Sequence, residues 1–167
     1  MSNYSIDIDF IVRTINILDS VKTSYEKTLF LNCCVGLLFI PQNTSINGKP
    51  IVFPEIVSQN EWGIAPDAAN PNETFANFDR NSVQNIARHI RNSIAHARFD
   101  MLECNRGVDM SEIKYIELFD KYSEKDNDYN FHLRLSIDDL LKFVRKYSEK
   151  VLEMKGVNLN KNGKESG

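Results

Sequence analysis

The order of hydrophobic and polar positions along the chain predicts a protein built mainly of α-helices. Apolar residues recur at steps of three and four through residues 5–26 and again through 79–97, the period of a helix with one buried face. Residues 25–40 are apolar on nearly every side, which predicts a buried central helix, and we expect that helix to stop at Pro41. The apolar stripe of the third helix comprises Val83, Ile86, Ala87, Ile90, Ile94 and Ala97.

After the third helix the pattern changes to that of β-strands. Aromatic and β-branched residues alternate with polar ones over 113–123 and 130–136, with a polar turn between them, so we predict a β-hairpin. A third short strand is expected near 98–104. A closing amphipathic helix follows Ser136, an N-cap with Asp139 placed as in a capping box.

This organisation predicts one domain over residues 1–156 and a flexible tail over 157–167. All five prolines of the chain fall within 41–78, which we expect to be an irregular connection that precedes the third helix. Trp62 indicates that part of this connection packs against the core. The strand pattern confines the β-hairpin region to residues 98–136.

Composition narrows the class of protein. The net charge of −3 and the pI of about 5.6 exclude a protein that coats nucleic acid through general basicity. No apolar run is long enough for a membrane span, and the acidic N-terminus lacks the pattern of a signal peptide. The three cysteines show no disulfide or zinc spacing, so we expect a reduced, cytoplasmic protein without a metal or cofactor.

Basic residues are nevertheless concentrated in one segment. Five of the eight arginines lie in 80–106, a segment that contains no lysine, and residues 79–106 remain net positive when their acidic residues are counted. Arginine presents a planar fork of donors that fits phosphate oxygens. On the third helix Arg88 lies one turn before Asn92, and Asn92 one turn before His96. This pattern predicts a phosphate site in which Arg88 and Arg98 bind substrate.

A simpler interpretation of the same residues stays open. Polar helix faces are commonly only solvated, and their arginines often pair with nearby acids. His89 and His132 show nothing in the sequence that separates them from structural histidines, and the adjacent Cys33 and Cys34 read as thiols of the core.

At "RNSIAH" the sequence resembles the HEPN superfamily of nucleotide-binding and ribonuclease domains. Their motif is an arginine and a histidine separated by four to six residues, with a polar residue, commonly asparagine, after the arginine; Arg91, Asn92 and His96 occupy these places. The helix that ends "LNCCVGLLFIPQ" is similar to helices of prokaryotic HEPN nucleases. The resemblance covers roughly residues 5–154.

The resemblance implies a helical bundle, in which we expect four to five helices and, from the strand pattern above, a β-hairpin or a three-stranded antiparallel insertion before the last helix. It also implies a metal-independent ribonuclease whose catalytic residues are Arg91, Asn92 and His96. In such a reaction the 2′-OH of RNA attacks the adjacent phosphate, His96 moves protons and Arg91 binds the phosphate. One helix supplies a single suitably placed histidine, so a homodimer with a composite active site is expected.

The sequence departs from one branch of the family. HEPN toxins paired with nucleotidyltransferase antitoxins carry a tyrosine two residues after the motif histidine, and Arg98 stands there in this chain. Three hypotheses stay open: a ribonuclease with a toxin or phage-defence role and a possible antitoxin partner, a catalytically silent HEPN domain that binds RNA or nucleotide, and a plain helical dimerisation module.

Overall fold

The computed structural model describes residues 6–20, 26–43, 45–46, 49–53, 62–64, 82–103, 113–121, 123, 125 and 128–157. Its helices are α1 (Ile6–Ser20), α2 (Glu26–Asn43), α3 (Val83–Ala95) and α4 (Ile137–Met154). Its strands are β1 (Ser45–Ile46), β2 (Lys49–Pro50), β3 (Phe99–Glu103), β4 (Ile113–Asp120) and β5 (Phe131–Ser136). The prediction of a mainly α-helical protein with a three-stranded antiparallel sheet before its last helix is confirmed.

Several expectations lie outside the described residues. They include most of the proline-rich connection over 41–78, the end of the first predicted helix after residue 20, and the tail from residue 158 onward. Within the part of the connection that is described, Ser45–Ile46 and Lys49–Pro50 pair as a small antiparallel hairpin. No helix in the described part of the chain combines the length and apolar character that crossing a membrane requires.

The chain divides into two compact units, one formed by Met1–Ile51 with Val144–Gly167 and the other by Val52–Phe143. The expected single domain over residues 1–156 stays a prediction.

In the first unit, α1 packs closely against α2. A Cβ atom at Gly36 would lie 2.8 Å from the end of the Phe10 ring, so a side chain at this position would force that ring to move. Cys33 and Cys34 are buried in the core, and burial raises the pKa of both thiols. The remaining buried apolar residues of these two helices are Ile11, Ile15, Leu37 and Leu38.

The prediction that α2 stops at Pro41 is wrong, because the helix continues to Asn43. Proline lacks the N–H that would donate to the carbonyl of Leu37, four residues earlier. The hydroxyl of Ser148, on α4, shares its single proton between that carbonyl oxygen, 3.3 Å away, and the carbonyl oxygen of Val144, 2.9 Å away. At the end of the helix, Asn43 Nδ2 donates to the carbonyl of Phe39 at 2.8 Å. Side-chain donors thus bond backbone carbonyl oxygens in the last turns of α2, and the helix continues past Pro41.

In the second unit, α3 packs on an antiparallel sheet of order β3–β4–β5. Alternate residues of β4 face the helix and are fully or almost fully buried: Ile116, Leu118 and Asp120. Their cross-strand partners on β5 are also buried: Leu135, Leu133 and Phe131. This face is apolar except at its end, where Asp120 lies opposite Phe131.

The same unit confirms two local predictions. Ser136 Oγ accepts from the backbone N–H of Asp139 at 3.0 Å and lies 2.6 Å from its carboxylate, so Ser136 caps α4. Trp62 is buried, and its ring lies 6.4 Å from that of Phe53 and 5.8 Å from that of Phe143. This part of the long connection therefore packs down, as its single tryptophan indicates.

Candidate functional site

The predicted motif lies on α3, whose ends are both defined by hydrogen bonds. Ser82 is the N-cap, and its side chain accepts from the N–H of Asn85. At the other end His96 is the C-cap, and its own N–H donates to the carbonyl of Asn92 at 2.9 Å. Predicted to lie on the apolar stripe, Ala97 is instead exposed, because it comes after the end of the helix.

The turn after α3 is a Schellman motif that contains no glycine. The N–H of Ala97 donates to Ile94 and the N–H of Arg98 to Ser93, at 3.1 and 2.8 Å. Ala97 has φ of +52°, the only positive φ of a non-glycine residue in the described chain. An alanine in this conformation is strained by about 1 kcal/mol relative to glycine. The turn places Arg98 directly before β3, where its carbonyl accepts from Phe119 at 2.9 Å.

At the centre of the arrangement is Asp120, at the end of β4. Its side chain is 2% exposed and accepts four hydrogen bonds. Oδ1 accepts from Arg98 Nη1 at 3.0 Å and from the backbone N–H of Lys121 at 2.9 Å. Oδ2 accepts from His89 Nδ1 at 2.7 Å and from Asn92 Nδ2 at 3.1 Å. We call these five residues the Asp120 network.

The carboxylate of Asp120 is ionised despite its burial. Burial by itself would raise its pKa, but hydrogen bonds from His89, from Asn92 and from the N–H of Lys121 together lower the pKa below its usual value. An ionised carboxylate can only accept hydrogen bonds, so each group that surrounds Asp120 donates to it.

His89 is 3% exposed and lies flat against Phe131, with ring centroids 4.7 Å apart and planes 13° apart. Since Asp120 only accepts, the proton on this face of the imidazole is on Nδ1. On the other side, Nη2 of Arg88 lies 3.4 Å from Nε2. A guanidinium only donates, so in a hydrogen bond at this contact Nε2 is the acceptor, and the ring proton is assigned to Nδ1.

Asn92 uses both ends of its amide. Its Nδ2 donates to Asp120, and its Oδ1 accepts from Nη2 of Arg91 at 2.5 Å. These two contacts fix which end of the amide faces which partner. Asn92 therefore bonds the guanidinium of Arg91 on one side and the buried carboxylate on the other.

The predicted site residues are distributed between a buried and an exposed layer. Arg98 has a side chain that is only 12% exposed, and it pairs with Asp120. Arg91 and Asn92 are half-buried, whereas Arg88 and His96 are exposed. Arg88, Arg91, Asn92 and Arg98 are connected through the Asp120 network, while His96 joins it through its backbone bond to Asn92.

Two side chains of the Asp120 network, those of Asp120 and His89, are missing from the set predicted from the sequence. A signal for Asp120 exists in the alternation of β4, since an acid there occupies the position after Ile116 and Leu118 on the buried face. His132, also considered structural, stacks on its cross-strand partner Phe119 with ring centroids 4.9 Å apart.

Among the described residues, no three His, Cys, Asp or Glu side chains are grouped so that they could hold a metal ion.

Comparison with known protein families gives a match over nearly the whole chain. The sequence model of a protein family described as HEPN pEK499 p136 matches residues 1–157, nearly the whole chain. The match includes α1 to α4 and every residue of the Asp120 network. No curated protein and no solved structure matches the chain.

Proposed function

The chain belongs to the HEPN family, whose members have nuclease or RNA-binding roles, and from this premise we propose that it is a metal-independent endoribonuclease. The observation that carries the proposal is the pair formed by Arg91 and Asn92, in which Asn92 Oδ1 accepts from the guanidinium at 2.5 Å. This bond restrains one end of the guanidinium and keeps a long side chain pre-organised at the surface of α3.

In the proposed reaction, the 2′-oxygen of a ribose attacks the adjacent phosphorus and the bond from phosphorus to the 5′-oxygen breaks. One group takes the proton of the 2′-OH and another gives a proton to the leaving 5′-oxygen. Arg91 stabilises the charge that develops on the non-bridging oxygens. His96, exposed at the end of α3, moves protons, and Asn92 orients Arg91.

Arg88 and Arg98 are proposed to extend the phosphate site, Arg88 by direct contact and Arg98 mainly through its charge. Arg88 is exposed on α3 and is placed to meet a neighbouring phosphate. Arg98 is mostly buried and bonded to Asp120, so its contribution to a bound phosphate is mainly through the local positive potential.

The second proton carrier is proposed to be His96 of another subunit. His89 is held between Asp120 and Arg88, and His132 is stacked on the outer face of the sheet. A twofold axis beside α3 would bring two copies of His96 and Arg91 into one cleft. A toxin or phage-defence role, with an antitoxin as partner, is the biological setting that fits such an enzyme.

The alternative is a HEPN domain that binds RNA without cleaving it. It is favoured by the internal partners of Asn92 and Arg98, because a purely structural network would hold these side chains equally well.

Labelled RNA incubated with the protein in EDTA separates the two functions. We expect cleavage by the wild type, and no cleavage by His96→Ala, which removes an exposed side chain and leaves the folded state intact. Circular dichroism and the midpoint of thermal unfolding provide the folding control. RNA retained without cleavage would favour the binding domain, and equal cleavage by His96→Ala and the wild type would end the proposed role of His96.

A further inference from the structure

One carboxylate lies behind two arginines of the proposed phosphate site. Oδ2 of Asp120 accepts from both His89 and Asn92, and each of these side chains extends to a different arginine. Arg88 lies against His89, and Arg91 lies against Asn92. Two branches of hydrogen bonds therefore start from a single buried oxygen atom.

The orientation of the Asp120 carboxylate is also fixed by contacts that belong to neither branch. Its other oxygen, Oδ1, is bonded by Arg98 Nη1 and by the backbone N–H of Lys121, at 3.0 and 2.9 Å. A carboxylate held at both oxygens and 2% exposed has no room to rotate. Oδ2 thus presents two acceptor directions of fixed orientation to α3.

Each branch transmits this orientation because its middle residue has only one arrangement that satisfies both neighbours. Asn92 must turn its NH₂ toward Asp120, which leaves its oxygen for Arg91. His89 must carry its proton on Nδ1, which leaves the lone pair of Nε2 for Arg88. Reversal of the Asn92 amide, or a proton on Nε2 of His89, would place a donor against a guanidinium that only donates.

We propose that Asp120 is a positioning residue that orients Arg88 and Arg91 toward the phosphates of bound RNA, through His89 and Asn92 respectively. The proposal rests on the ribonuclease function proposed above, because it gives these arginines a phosphate to meet. Asp120 itself touches no substrate. Its position on the inserted sheet makes the β-strands part of the phosphate site.

The first test needs no RNA. Side-chain Nε–Hε signals in NMR spectra, assigned with Arg88→Lys and Arg91→Lys, report how each guanidinium is held. We expect Asp120→Asn to move the signals of both arginines toward those of a guanidinium held only by water. Unchanged signals for Arg88 and Arg91 in Asp120→Asn would overturn the proposal, whether or not the protein cleaves RNA.

The second test uses a single-stranded RNA with 2′-O-methyl riboses, which binds but lacks the attacking hydroxyl. Asp120→Asn is expected to weaken its binding about tenfold. The slope of log K against log salt is expected to fall by about 1.4, about 0.7 for each of two lost phosphate contacts. In a background of Arg88→Ala with Arg91→Ala, Asp120→Asn is expected to cause no further weakening of binding.

A merely structural role predicts a different result, namely the same loss of binding in both backgrounds, and that result would contradict the proposal. Leu118→Ala is the matched control, since Leu118 is fully buried on the same strand and face; it is expected to lower stability and to keep the salt slope.

If Asp120→Asn fails to fold, Asn92→Ala cuts only the branch to Arg91 and leaves three donors on the carboxylate. Its effect on binding is expected to vanish in an Arg91→Ala background, and a persistent effect would count against the proposal. Wild-type protein that gives the expected NMR result but cleaves no RNA would contradict the ribonuclease function and not the positioning.

Discussion

At the residue scale, Arg91 has to satisfy Asn92 and a phosphate at the same time. The planar fork of a guanidinium offers donors in several fixed directions, whereas an ammonium is a single point charge. We expect Arg91→Lys to lower kcat/KM for RNA at least tenfold. A lysine cannot donate to Asn92 Oδ1 and to two phosphate oxygens at the same time. Arg13→Lys, at an exposed arginine paired with Asp9 on α1, is the control and should leave the rate unchanged. Nearly full activity of Arg91→Lys would reduce the role of Arg91 to charge alone.

Asp120 gives a prediction for stability at acidic pH. Its pKa is lowered in the folded protein from the ordinary 3.8, so it contributes stability above that value, and this contribution is lost as the pH falls through the lower folded pKa. The difference in unfolding free energy between the wild type and Asp120→Asn should therefore be constant above about pH 5 and shrink below about pH 4. Urea unfolding at a series of pH values measures it. A difference that does not change between pH 6 and pH 3 would contradict the lowered pKa.

The sequence predicts the exposed part of the site better than its support. Arg91, Asn92 and His96 are recognisable because their spacing lies within one helix and matches a known motif. Asp120 comes 28 residues after Asn92, and only the fold brings the two side chains together. The mostly buried position of Arg98 has the same origin, since an arginine cannot be assigned to a buried ion pair before its acid is located.

At the element scale, periodicity predicts the helices and strands but not the end of α2. The stop at Pro41 follows from proline chemistry within one helix, and the bond that relaxes this rule comes from Ser148 on another helix. Capping of α4 by Ser136 is local, with Asp139 three residues away, and was predictable for that reason. Interactions between neighbours in sequence could be predicted, and interactions supplied by a distant element could not.

The bond from Ser148 to Leu37 leads to a test by a double-mutant cycle. Ser148→Ala leaves the carbonyl of Leu37 without this donor and should lower the unfolding free energy by about 1 kcal/mol. Pro41→Ala restores a backbone N–H for the same carbonyl, so the cost of Ser148→Ala should be smaller in that background. Because Ser148 also donates to Val144 at 2.9 Å, part of the cost should remain. Equal costs in both backgrounds, measured by urea unfolding, would show that the serine does not compensate for the proline.

At the scale of the whole molecule, the proposed chemistry requires two proton carriers and predicts a shared active site. Chains carrying His96→Ala and Arg91→Ala, unfolded and refolded together, form hybrid dimers in which no cleft holds two complete sets of residues. Their cleavage rate should stay well below that of wild type refolded in the same way. Sedimentation at the assay concentration verifies the dimer. Full activity of a monomer at nanomolar concentration would contradict the shared site.

The position of Asp120 on a strand has a consequence for how this protein can evolve. A motif helix moved by itself into another helical bundle would lose the acid that fixes its asparagine and its buried histidine. The residues that can replace Asp120 on β4 are therefore limited by the residues at positions 89 and 92, which lie on α3. Among relatives that keep the inserted sheet, we expect these three positions to change together, and an alignment deep enough to detect correlated substitution would show it.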